Sequence, residues 1–301
     1  MSKISFYDQI AKNRRESLLL SFFVFLILLG LVYVIAEIFA PGYSLLFVGF
    51  SSIFIAIYVL MTYRYGDQVI LTATNAKPAT GNEYVFLRNT VEGLSIAAGI
   101  PAPKIYVIES EEMNAFATGR DPQNASVTVT TGLLKNLKRD ELEGVIGHEL
   151  SHIRNYDIRF ATLVAVMVGL VAILSHLLLR SYGWGVRSRR RSKSRGRDRG
   201  GLLLAVGFVL AIFAPIIVRI VQFAVSRRRE YLADASSVEL TRYPEGLASA
   251  LERIMKVNTG KMDVSEAVSH LFFVDPNKSA LDAVYATHPP IEQRIKILRS
   301  M

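Results

Sequence analysis

The chain has 301 residues, 35 Lys and Arg against 26 Asp and Glu for a formal charge of +9, 51% hydrophobic residues and no cysteine. Its mean hydropathy of +0.30 is that of a membrane protein, and the lack of cysteine excludes disulfides, thiolate metal sites and cysteine nucleophiles. The excess charge excludes nothing and does not signal nucleic acid: residues 180–199 alone hold nine basic residues and one acid (9 − 1 = +8), with no aromatic surface for stacking on bases, and the remainder is nearly neutral.

In chain order, two apolar runs come first, Ser17–Ala36 and Tyr43–Tyr63, each near the roughly 20 residues that cross a hydrocarbon core as helix. Only a short loop separates them, so they are expected to form a hairpin. The first is too long for a signal peptide and reads as a retained anchor. Lys3, Lys12, Arg14, Arg15 and Arg64 flank the hairpin on one side, which places both of its ends in the cytoplasm.

From residue 67 to 157 the pattern is that of a water-soluble fold. "QVILTAT", "KIYVIES" and "SVTVTTG" read as strands, the last ended by glycine, and "EYVFLRNTVEGLSIAAGI" as an amphipathic helix. Asp140 with Glu143 has the spacing of a capping box and opens a helix through "ELEGVIGHELSHIRN". A second apolar pair follows at Phe160–Leu179 and Leu202–Val225, the latter interrupted by Pro215 and Arg219. The expected architecture is α+β: four apolar helices in a membrane region, and a mainly helical soluble domain with a small sheet. Its segments are a hairpin at 1–66, the first half of the soluble domain at 67–157, the second helix pair with its Arg-rich loop (180–200) at 158–226, and the second half at 227–301.

The segment "VIGHELSHIRNYD" (145–157) carries the chemistry. His148 and His152 stand one helical turn apart and can point two imidazoles at one ion, while Glu149 can reach a water beside it. This is the HExxH pattern of zinc peptidases, in which the metal acidifies the water and the glutamate takes its proton. Chance placement among five histidines is a poor explanation. A hydrolytic zinc site takes a third protein ligand, for which His176, His270, His288 and the carboxylates are available. The better candidate is "RRREYLADASS", where Glu230 could bind the ion and Asp234, one turn behind it, accept an N–H from a liganding histidine, although spacing alone fits a solvated helix face equally well.

Together, "HELSH", "EYLAD", "NAFATG" (114–119) and "THPPIEQR" (287–294) resemble, in order, the motifs of the HtpX family of membrane zinc metallopeptidases, relatives of the CaaX prenyl endopeptidases. The resemblance implies a gluzincin-like catalytic domain and one Zn²⁺ held by His148, His152 and Glu230. It also implies Glu149 as base, Asp234 behind a histidine, and proteolysis of damaged membrane proteins at the cytoplasmic face of a prokaryotic inner membrane, as in protein quality control. Beside it, "NAFAT" reads as an edge strand that could pair with a substrate backbone, Asn114 bonding it; His288 and Arg294 could stabilise the oxyanion; and Asp157 could orient the end of the metal helix.

His148 and Glu230 can share an ion only if the chain between them crosses the membrane twice or not at all. Two crossings would export the +8 loop, so a re-entrant or domain-packed pair competes with a spanning one. Other readings are a non-catalytic scaffold with a structural zinc, a transporter, and a prenyl-protein endopeptidase. Expected partners are protein substrates and the bilayer, without nucleic acid.

Overall fold

The structure, a computed structural model, describes residues 15, 18 and 19, most of 21–36, and 42–167, 227–262, 264–276 and 289–301. The expectations for residues 168–226, with His176 and the Arg-rich loop, and for His288 fall outside these. Among the described residues one helix, α1 (Ser44–Ala73), is long and apolar enough to cross a membrane. Its side chains from Leu45 to Met61 are mainly exposed, Leu45 by 78% and Phe54 by 71%, and little of this part of the helix is covered by protein.

The last turns of α1 correct one sequence expectation. "QVILTAT" continues this helix instead of forming a strand, because Ile70 and Leu71 gain burial against the soluble domain where a helix already in progress delivers them. The helix therefore passes through the 66/67 boundary drawn from composition.

After α1 come β1 (Lys77–Pro78), α2 (Val85–Ala98), β2 (Lys104–Ile108), β3 (Ala115–Asp121) and β4 (Asn124–Thr130), followed by α3 (Thr131–Asn136) and α4 (Arg139–Arg154). The sheet order is β1-β2-β4-β3, with β2 parallel to β4 and the other two pairs antiparallel, so β3 is an edge strand as "NAFAT" suggested. β4 ends at Thr130, whose hydroxyl accepts from Leu133 N and opens α3, so Gly132 falls inside a helix. Beyond 227 lie α5 (Arg227–Thr241), α6 (Pro244–Val257), the single turn α7 (Glu266–Ser269) and α8 (Ile291–Leu298).

Periodicity explains the core. Leu87, Val91, Ser95 and Ala98 form the buried face of α2, which closes on Gly99 in the left-handed conformation (φ 68°). That face joins Val127 and Val129 of β4, Val145, Ile146 and Leu150 of α4, and Leu247, Leu251 and Ile254 of α6. Two glycines on α4 set how closely its neighbours approach: a Cβ on Gly144 would stand 2.7 Å from Leu247 N, and one on Gly147 2.9 Å from Ser237 Oγ. Ser237 uses that closeness to donate to Gly144 O at 2.6 Å.

The capping box of α4 stands two residues earlier than the Asp140 spacing implied. Glu141, not Glu143, closes the capping interaction by accepting from Lys138 N at 2.7 Å. The Glu141 carboxylate also accepts from Ser249 and Arg253 on α6. Burial works against its charge, but the Lys138 N–H, Arg253 and Ser249 together hold its pKa below 4.5. A lowered folded-state value means the stabilisation is present above the unfolded pKa and is lost as pH falls through the folded one. Glu141→Gln should cost about 2 kcal/mol at neutral pH. The gap from wild type in thermal melts should close as the pH is taken below about 4.5.

Candidate metal centre

α4 presents its buried face, including His148 and Glu149, to α5 and the sheet. The chain then turns at Asn155–Tyr156, where Tyr156 adopts a left-handed φ of 62° that few non-glycine residues take. The turn swings the following helical stretch, 157–167, back so that Asp157 Oδ2 lies 3.0 Å from His152 Nδ1. On α5, Glu230, Asp234 and Ser237 are buried at i, i+4 and i+7, one stripe along α4.

Glu230 thereby reaches both histidines: its carboxylate oxygens lie 3.6 Å from His148 Nε2 and 3.5 Å from His152 Nε2, and the two Nε2 atoms are 3.1 Å apart. One donor atom from each of the three residues lies within 4.8 Å of the others. Donors about 2.0–2.2 Å from a tetrahedral Zn²⁺ stand roughly 3.3–3.6 Å from one another, so this set fits such an ion.

The supporting hydrogen bonds fit it too. His148 Nδ1 meets Asp234 Oδ1 at 2.9 Å and His152 Nδ1 meets Asp157, so both imidazoles are held with Nδ1 as donor and Nε2 turned to the shared point. Burial disfavours a charged imidazole, yet the hydrogen bond it donates to Asp157 and the charges of Glu230, Asp157 and Glu149 push His152 up to about 9. These surroundings favour positive charge at this point, whether a proton or a cation. Burial raises the Glu149 carboxyl above the usual range, against the pull of His148, His152 and Arg294. It is 2% exposed and lines a cleft with Ala117, Ile158, Ala161, Arg229 and His270.

Arg294 is 1% exposed and stands behind the histidines. Its Nε and Nη2 donate to the two oxygens of Asp234 at 2.8 and 2.7 Å, and its guanidinium covers the Phe273 ring at 4.7 Å. Burial alone would raise the Asp234 carboxyl, but Arg294 and His148 hold it below its usual value. Arg294 is not among the cleft-lining residues; besides its two bonds to Asp234, its Nη1 donates to Phe273 O at 3.4 Å and lies 3.8 Å from Glu230 Oε2. Asn114 is also turned inward, 0% exposed: its Nδ2 donates to Val274 O at 2.7 Å and its Oδ1 accepts from Val274 N at 3.1 Å. Phe273 N donates to Ala115 O at 2.8 Å, so the chain itself occupies this end of the β3 edge. Spacing did not single out Phe273, which packs on His148 with ring centroids 4.9 Å apart, or Arg229, 3.8 Å from Asp157. One of two adjacent aromatics in "LFFV" and one arginine of "RRR" carry no periodic mark. His270 lies in the cleft wall with Nε2 3.3 Å from Ala161 O, apart from the three clustered donors.

Two imidazoles and a distant carboxylate around one point, with a buried glutamate on the same helix turn, are the parts of a metal-dependent hydrolase. The model of Peptidase family M48 matches residues 84–301. The "Protease HtpX homolog" of Dictyoglomus thermophilum is 45% identical over 301 residues, covering 100% of this chain and 96% of the relative. That of Thermoanaerobacter pseudethanolicus is likewise 45% identical, over 100% of this chain and 99% of its own. Among solved structures, S. mikatae Ste24p aligns over 97% of this chain and 67% of its own, at 19% identity and a TM-score of 0.48. The chain belongs to Peptidase family M48 and is a metallopeptidase.

Proposed function

We propose that the protein is a membrane-anchored zinc endopeptidase that cuts misfolded or damaged membrane proteins at the cytoplasmic face of a bacterial inner membrane. The observation that carries the hydrolytic reading is the convergence of His148, His152 and Glu230 on one point beside a buried, basic Glu149. The exposed apolar length of α1 supports the anchor, with the soluble domain divided between residues 67–157 and 227–301.

A bound Zn²⁺ would supply Lewis acidity toward the water and the peptide carbonyl. Glu149 takes a proton from the attacking water onto a carboxylate oxygen, and its raised pKa suits it to that task and to returning the proton to the departing amine nitrogen. Asp234 and Asp157 fix the two imidazoles, and Arg294 acts at one remove by fixing Asp234. With Asn114 and Ala115 O bound to residues 273–274, the outward N–H and C=O of Ala117 in the cleft are the backbone groups of β3 offered to a substrate.

Glu230→Ala should purify with less than about a tenth of the zinc of wild type and leave casein uncut. Chelation should inactivate wild type, with activity returning on zinc addition. Full zinc content in Glu230→Ala, or casein cleavage that withstands chelation, would overturn this reading.

A further inference from the structure

At the end of the apolar part of α1, three arginines interlock. Ser44 to Tyr63 contains no charged residue, and those 20 residues span about 30 Å as helix, the thickness of a hydrocarbon core. The next residue is Arg64, flanked by Tyr63 and Tyr65, both exposed, with the Arg64 guanidinium 5.9 Å from the Tyr65 ring. Arg120 of β3 donates from Nη1 to Arg64 O at 3.2 Å, and Arg159 donates from Nε to Arg120 O at 2.6 Å. Arg159 is held between two rings, 5.5 Å from Tyr63 and 5.2 Å from Tyr156.

These contacts gather the three arginines at one end of the apolar stretch, and among the described residues the acid paired with them is Asp121, 3.3 Å from Arg120 Nε. The remaining charge is 3 − 1 = +2. Among the described residues, nothing accepts from the terminal nitrogens of Arg159 or from the Arg64 guanidinium. The cluster thus offers unused planar donors at the level where lipid phosphates lie, within a collar of tyrosines of the kind that settles at that level.

We infer that Arg64, Arg120 and Arg159 bind the phosphate of an anionic phospholipid headgroup. The site also touches the catalytic framework: Arg159 lies two residues beyond Asp157, and Thr162 on the same helical stretch accepts from Gly119 N of β3 at 3.1 Å. The inference rests on α1 spanning a bilayer, but not on the hydrolytic reading, since its test reads no proteolysis.

The full chain is placed in nanodiscs of phosphatidylcholine alone or with about a third phosphatidylglycerol, and its melting temperature and co-purifying lipid are measured. Wild type should melt higher in the anionic discs and retain phosphatidylglycerol. The double variant Arg64→Gln/Arg159→Gln should melt as wild type does in neutral discs, lose the gain in anionic ones, and bind the lipid about thirtyfold more weakly. An equal gain for both proteins would overturn the site. So would the same gain in neutral discs from free glycerol phosphate, which would make it a site for soluble phosphate. Failure of the chain to enter discs at all would instead count against α1 as a span. Arg64→Gln alone, exposed and outside the core, keeps the test open should the double variant misfold.

Discussion

Glu149→Gln is expected to leave the protein folded and loaded with metal while lowering kcat for casein by about 10²–10⁴-fold. The amide has the size of the carboxylate and can stay in the same buried position beside His148 and His152, but it takes no proton from water. Zinc content and melting temperature measured on the same preparation separate this outcome from loss of the site. Activity within a few-fold of wild type would remove Glu149 as the base. Any self-cleavage during purification should stop in this variant, which makes it the form to use for trapping substrates.

Arg294→Met should have an effect of a different kind. Removing the guanidinium leaves the Asp234 carboxylate buried, with His148 Nδ1 as its remaining side-chain hydrogen-bond partner among the described residues. Breaking a buried pair in this way costs about 3–5 kcal/mol, far more than an exposed ion pair would. Stability should therefore drop sharply, and zinc affinity should fall with it, because His148 loses the fixed acceptor that orients it. Arg294→Lys restores the charge without the paired donors and should recover only part of both. If Arg294 acted on the reacting carbonyl alone, kcat would fall with zinc affinity and melting temperature unchanged.

The metal helix was legible in the sequence because its information is local: a helical turn brings His148 and His152 together whatever the rest of the chain does. Glu230 and Asp234 form a second pair at the same spacing, which fits a solvated helix face equally well, and it was the resemblance carried by "EYLAD" that pointed to them. Features that depend on how distant segments meet were not. "THPPIEQR" suggested Arg294 as an oxyanion donor or a helix-surface arginine, and only the packing of α8 shows it bound to Asp234. The same holds for Asn114, whose side chain meets Val274, 160 residues away. "QVILTAT" misled because β-branched and apolar residues suit a strand and a buried helical turn equally well over so short a run.

The distance between Arg294 and His148 along the chain, 146 residues, has a consequence for biosynthesis. Synthesis delivers His148, Glu149 and His152 first, then Glu230 and Asp234, and last the guanidinium that fastens Asp234. A nascent polypeptide therefore holds the three clustered donors before it holds the residue that fixes Asp234, and the fully fastened arrangement can form only once translation has passed Arg294.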